Sequence, residues 1–95
     1  MLAPPPPPVM TCGDPAGTGP EVAAALARRA DLPRFAWLGD PRHLPPGTDW
    51  AEVAAPSAAR DLPPGRLAVL PLAFPEPAVP GRPDPRNAPA TVQAI

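Results

Sequence analysis

Proline occupies 21 of the 95 positions of this chain, and each ring pre-sets φ at about −65° and removes a backbone donor. The chain is therefore stiff and rich in loops, with less unfolded-state entropy to lose on folding. Its apolar supply is thin as well. Of the residues behind the 44% hydrophobic content, 19 are alanine, whereas Leu, Val, Ile and Phe together number 18 (9, 6, 1 and 2). At roughly 25 cal/mol per Å² of apolar surface removed from water, these side chains support one small domain with a small core. Proline, alanine, glycine and arginine, which supplies all eight basic residues, share GC-rich codons, so genome composition accounts for much of the bias.

Regular elements are read from the apolar runs between prolines. The Pro4 to Pro8 run is expected to form a left-handed polyproline II segment, a spacer or a ligand, because its rings fix φ and allow no internal hydrogen bonds. Residues 9–12 read as a short buried strand and residues 35–38 as a second, closed by the Gly39-Asp40-Pro41 turn. Between them a helix starts at Pro20, with Val22, Ala25 and Leu26 as its inward face, and Asp31 and Pro33 stop it. Strand, helix, strand is the order of a βαβ unit, which favours a parallel sheet and a right-handed crossover. Prolines cannot donate to a ladder, so the first strand is expected to be short or at an edge.

Beyond that unit the pattern weakens. Residues 50–53 suggest a short third strand, and residues 67–70, extending as far as Leu72, suggest a better one. Pro71, Pro75, Pro77, Pro80, Pro83 and Pro85 make an extended crossing and not a helix. Asn87 is expected to cap a last helix over residues 88–95, with Val92 and Ile95 one turn apart. Two turns without a glycine cap are short, since isolated helices below about 12–15 residues are marginal, and this points to a chain that continues beyond Ile95. No internal repeat is apparent.

Several functions are excluded on composition. The formal net charge is −1 and the arginines are scattered, so no basic stripe exists to neutralise phosphates on nucleic acid. The single cysteine, Cys12, rules out an internal disulfide and a four-cysteine zinc site and fits a reducing cytoplasm. The first ten residues lack a positive start and carry five prolines where a secretory signal needs an apolar core. No stretch approaches the roughly 20 apolar residues of a membrane span.

The run Thr11-Cys-Gly-Asp-Pro-Ala-Gly-Thr-Gly-Pro-Glu21 joins the first strand to the first helix through three glycines. That arrangement presents backbone N–H groups and a helix N-terminus to whatever binds above the bend, as an anion or cofactor site requires. Thr18 and Glu21 have the spacing of a capping box, and Pro20 sits in the first turn, where its missing N–H costs nothing. Glu21 is accordingly a capping partner before it is a catalytic acid. Asp14 either accepts hydrogen bonds from the bend's own N–H groups or faces a cleft. Cys12 has no base nearby in sequence and reads as a buried structural thiol. His43, in a proline-flanked loop, reads as a surface residue, and Trp37 and Trp50 read as core.

The stretch Gly13-Asp-Pro-Ala-Gly-Thr-Gly-Pro-Glu21 closely resembles the amino-terminal signature of the 4-hydroxythreonine-4-phosphate dehydrogenases of pyridoxal phosphate biosynthesis, in which isoleucine commonly stands at the place of Thr18. The residues around Leu38-Gly-Asp-Pro41, residues 67–72 and Pro80-Gly-Arg-Pro-Asp-Pro-Arg-Asn-Ala-Pro89 agree in order and approximate spacing. The resemblance implies a partial three-layer α/β/α sandwich of the isocitrate/isopropylmalate dehydrogenase-like type, incomplete in this chain. It divides the sequence into a proline-rich segment, 1–8, and the amino-terminal part of a dehydrogenase domain, 9–95.

It also implies NAD-dependent oxidation of the hydroxyl of 4-hydroxythreonine 4-phosphate, then decarboxylation, with a divalent metal holding the substrate oxygens in a homodimer. On that reading Gly13, Asp14, Pro15, Ala16, Gly17 and Thr18 line the cofactor and substrate cleft. The family's metal histidines lie beyond the matched region and His43 aligns with none, so this chain is expected to hold no metal ligand and no complete catalytic set. Two other readings stand beside it, a self-standing phosphate-ligand-binding remnant and a proline-rich interaction segment.

Overall fold

A computed structural model of the chain describes residues 5–95. The apolar runs form four strands, β1 (Val9–Thr11), β2 (Ala36–Gly39), β3 (Trp50–Glu52) and β4 (Leu67–Pro71), with helix α1 (Gly19–Ala27) after β1 and helix α2 (Ala88–Ala94) at the end. All neighbouring strands pair in parallel, in the order β1-β2-β4-β3. Parallel neighbours cannot be joined by a tight hairpin, so every connection crosses over the sheet. The expected βαβ unit is present, and the weakly patterned residues 50–52 do form a strand.

The prolines set where the ladder can run. β1 is short and lies at the edge of the sheet, and the carbonyl of Pro8, which can accept though its nitrogen cannot donate, takes a hydrogen bond from the Ala36 N–H at 3.0 Å. Pro5, Pro6, Pro7 and Pro8 belong to no helix or strand; Pro4 lies outside the described residues. Pro71 closes β4.

Successive strand residues point to opposite faces, which divides the core in two. Trp37, Leu67 and Val69 face one side and pack with Cys12, with Ala23 of α1 and with Ala90 and Ala94 of α2. Ala36 and Ala68 face the other side and pack with Val53 and with Ala59 of the 3-10 segment Pro56–Asp61. Both faces of the sheet are therefore covered, giving part of a three-layer α/β architecture. The core is thin, as its composition requires: Trp37, Leu67, Val69 and Cys12 are its largest fully buried side chains.

Two helix faces differ from expectation. In α1 the buried residues are Pro20, Ala23 and Ala24, whereas of the expected inward face Val22 is 41% exposed, Ala25 is exposed and Leu26 only half-buried. In α2 Ala90 and Ala94 are buried, whereas Val92 and Ile95 are exposed. Size was the misleading cue. Ala23, Ala90 and Ala94 are the buried helix residues that pack in the core beside Trp37, so methyl groups fill the space beneath the helices and Val22 and Val92 turn out. Trp50, expected in the core, is 41% exposed because β3 is the other edge strand of the described sheet. None of the described helices is long and apolar enough to cross a membrane.

The Trp37 ring lies across the same sheet face as Gly39, where a Cβ would stand 2.6 Å from two ring carbons and 3.0 Å from the Cys12 Cβ. Gly39→Ala should therefore destabilise the fold by about 1–3 kcal/mol through overpacking, whereas Val92→Ala on the exposed face of α2 should change stability by less than about 0.5 kcal/mol. Urea unfolding midpoints of the two variants check the contrast.

Candidate functional site

All four strands run the same way, so the loops that follow them gather at one edge. In open parallel sheets this C-terminal edge is where ligands bind. Here it collects the glycine bend after β1, the Asp40 turn after β2 and residues 72–76 after β4.

The bend is built by its own polar groups. Gly13 takes a left-handed φ of 63°, which reverses the chain at no steric cost. The Asp14 side chain then accepts from the Ala16 N–H at 2.9 Å and its carbonyl from the Gly17 N–H at 2.9 Å, an Asx-type turn. A side chain at Gly19 would collide with the Cys12 carbonyl, so glycine there lets α1 begin directly against the end of β1. Cys12 itself is buried, and that burial, with some addition from the Asp14 carboxylate, pushes its thiol above the ordinary value. A protonated, enclosed thiol is structural.

The expected capping box does not form. Thr18 is the N-cap, but its backbone is already helical (φ −91°, ψ −5°) and its hydroxyl makes no capping hydrogen bond. A cap residue normally needs extended backbone to aim its side chain at the helix's free N–H groups. Thr18 contributes only its carbonyl, which accepts from the Val22 N–H at 3.0 Å. Glu21 lies in the first turn, where its charge suits the helix dipole.

A second group of residues meets the bend from residues 72–87. The Gly81 N–H donates to the Ala16 carbonyl at 2.9 Å. Asp40, almost fully buried, accepts from the Phe74 N–H at 3.0 Å and from the Arg42 N–H and guanidinium, and Arg42 in turn donates to the Phe74 carbonyl. Burial alone would raise the Asp40 carboxyl, but the Arg42 guanidinium and the two backbone amides outweigh it and hold it down at about 2.

Asn87, also buried, heads α2 without capping it. Its amide instead pairs with the Glu76 peptide, accepting from the Glu76 N–H at 2.9 Å and donating to the Glu76 carbonyl at 3.2 Å.

His43 is the clearest correction. It is 8% exposed, its ring sits edge-on to Phe74 with centroids 5.0 Å apart, and Nε2 donates to the Glu76 carbonyl at 3.1 Å. The 3-10 turn Pro41–His43 folds the ring in beneath the crossing. A signal for this was present in the sequence. Asp-Pro-Arg occurs twice, at 40–42 and 84–86, and each copy forms a 3-10 turn whose Asp accepts from the Arg N–H two residues on. The residues that follow the copies, His43 and Asn87, both hold Glu76.

Between the bend and the start of α2 lies a groove of about 320 Å³ lined by Asp14, residues 83–85, Asn87, Ala88, Thr91 and Val92. Of the six expected site residues only Asp14 faces it. Gly13, Gly17 and Thr18 are exposed on the bend, and Pro15 and Ala16 are buried. Two carboxylates, Asp14 and Asp84, and no basic side chain line this groove, so an anion is better received at the N-terminus of α1 than within it. A second cavity, about 250 Å³, opens at the opposite ends of β2 and β4 among Arg28, Arg29, Arg34 and Arg66. Among the described residues no group of three or more His, Cys, Asp or Glu side chains is placed to hold a metal ion.

Comparison with known proteins bears on the family of the chain. The chain is 57% identical over 88 residues to the 4-hydroxythreonine-4-phosphate dehydrogenase of Paracoccus denitrificans, a match covering 92% of this chain and 26% of that protein. It is 45% identical over 91 residues to the enzyme of that name from Roseobacter denitrificans, covering 94% and 28%. Its fold matches the crystal structure of 4-hydroxythreonine-4-phosphate dehydrogenase from Klebsiella pneumoniae with a TM-score of 0.75 at 22% identity, over 95% of this chain and 31% of that one. The chain thus spans about a quarter of the length of the curated relatives it matches. No family model matches it.

The Asp40 carboxyl has a folded value below its unfolded one of about 3.9. Its contribution to stability should therefore be complete above about pH 4 and lost as the pH falls through about 2. Asp40→Asn should remove this acid dependence and cost about 1–3 kcal/mol at neutral pH by weakening the hold on the buried Phe74 N–H and on the exposed Arg42 side chain. Unfolding followed from pH 7 to pH 2 in both proteins checks it.

Proposed function

We infer that this chain, homologous over 92% of its length to 4-hydroxythreonine-4-phosphate dehydrogenase, forms about a quarter of such an enzyme and supplies one wall of its active site. The observation that carries this reading is the glycine bend at the C-terminal edge of the parallel sheet, joined directly to the start of α1, in a chain 57% identical to a protein of that name. The reaction is the oxidation of the hydroxyl of 4-hydroxythreonine 4-phosphate followed by decarboxylation, a step toward pyridoxal phosphate. NAD, when bound, supplies the hydride acceptor.

The chain's own residues have defined tasks in this scheme. The first N–H groups of α1 have no partner within the helix, and its dipole favours a phosphate group above Thr18. The Thr18 hydroxyl, not engaged in capping, is available to the same ligand. Gly13 and Gly17 leave the bend without side chains, so a bound group approaches the backbone closely. The Asp14 carboxylate, braced by the Ala16 N–H, discourages a phosphate from the groove beside it. The described residues do not fit the divalent metal, since no group of three suitable ligands occurs among them, and its ligands are assigned to other parts of the enzyme. Pairing into a homodimer and a place in the cytoplasm complete the proposal; the unpaired Cys12 suits a reducing compartment.

A chimera tests this reading. The Paracoccus enzyme with its matching segment replaced by this chain should reduce NAD with 4-hydroxythreonine 4-phosphate at a kcat/KM within about tenfold of the parent. Gly17→Val in that chimera, which forces a side chain toward the Asp14 carbonyl 3.2 Å from the Cβ position, should lower kcat/KM by at least about tenfold. A folded chimera without turnover contradicts the proposal.

A further inference from the structure

The three buried polar side chains of the described residues are Asp40, His43 and Asn87, and all three hold the backbone of the same segment. Asp40 takes the Phe74 N–H, Asn87 takes both the N–H and the carbonyl of Glu76, and His43 donates to the same Glu76 carbonyl. The Glu76 carbonyl can only accept, so the His43 ring hydrogen sits on Nε2, and Nδ1 is left buried with no partner. An imidazole enclosed at the cost of one unpaired nitrogen is an expensive way to secure a single loop carbonyl. A leucine would fill the space without that cost.

Five residues beyond Glu76 the same segment reaches the glycine bend, where the Gly81 N–H meets the Ala16 carbonyl at 2.9 Å. Asn87 also lines the groove that Asp14 faces, so the grip and the groove share a wall.

We propose that His43 and Asn87, with Asp40, are positioning residues for the glycine bend: by fixing Phe74 and Glu76 they hold Gly81 against Ala16, and so set the separation of the bend from α2. The proposal rests on the bend being the ligand-binding element, as argued above, but concerns how its geometry is held. The pair of Asp-Pro-Arg turns is the device. Each is followed by one side chain, His43 from the β2 end and Asn87 from the α2 end, that bonds the backbone of Glu76.

Amide hydrogen exchange of the 95-residue chain, read residue by residue by NMR, tests this without any ligand. His43→Leu and Asn87→Ala should each speed exchange of the Gly81 amide by about tenfold or more while the Val53 amide, bonded to the Val69 carbonyl in the sheet, exchanges as before. His43→Gln, whose side-chain amide again offers a donor to the Glu76 carbonyl, should restore Gly81 protection. Gly81 exchange unchanged in folded variants overturns the proposal. Equal acceleration of Gly81 and Val53, not rescued by glutamine, also overturns it, because that is the signature of a purely structural role. If His43→Leu does not fold, Asn87→Ser and His43→Gln carry the same comparison. An inactive chimera leaves this measurement untouched, and an active chimera does not rescue the proposal if Gly81 fails to respond.

Discussion

The candidate site depends on one hydrogen bond, from the Gly81 N–H to the Ala16 carbonyl. It joins two segments that the sequence separates by a whole sheet, the bend after β1 and the crossing after β4. Without it the bend would still turn, since Gly13 and the Asp14 side chain suffice for that. It would have no fixed relation to α2, and the groove between Asp14 and Asn87 would have no defined width. The bond is weak by itself, about 1 kcal/mol net. Its persistence comes from the buried polar side chains that fix the crossing a few residues earlier.

That arrangement answers a problem set by composition. With so much proline, the crossing from Pro71 to Pro85 has few backbone donors to give a sheet or helix, and with so little Leu, Ile and Phe it has little apolar surface to bury. Side chains therefore satisfy the backbone groups that remain: Asp40 for Phe74, Asn87 and His43 for Glu76. Buried polar groups with partners specify a geometry more sharply than apolar contact does, because a displaced donor loses its whole bond. The same shortage of bulk explains the helices. Alanine faces bring α1 and α2 close to the sheet, and Gly19 and Gly39 remove the last obstructing Cβ atoms, against the Cys12 carbonyl and the Trp37 ring.

Elements governed by local chemistry were legible in the sequence. Apolar runs between prolines marked the strands, the glycine run marked the bend, and proline's missing donor placed β1 at an edge. Buried Trp37 followed from its strand position, whereas Cys12 is buried just beyond β1, a strand expected to be buried whose Val9 and Thr11 are exposed. What escaped was decided by contacts between distant residues. Val22 and Leu26 were the larger side chains of α1, yet the near approach of the sheet selected Ala23 and Ala24. Asn87 looked like a cap and Thr18 like half of a capping box, but both have helical backbone, and Asn87 found the Glu76 peptide instead. His43 looked exposed because nothing nearby in sequence could bury it; Phe74 and Glu76 do so from across the crossing. The repeated Asp-Pro-Arg was the one local sign of this pairing.

The account therefore stands on the crossing being seated on the glycine bend. A scalar coupling transmitted through the hydrogen bond between the Gly81 amide nitrogen and the Ala16 carbonyl carbon, measured by NMR on the labelled 95-residue chain, reads that seating directly. A resolved coupling of a size normal for backbone hydrogen bonds is the predicted result. Absence of the coupling, in a sample whose Val53-to-Val69 coupling is present, would show an intact sheet with the bend unheld and would contradict the account.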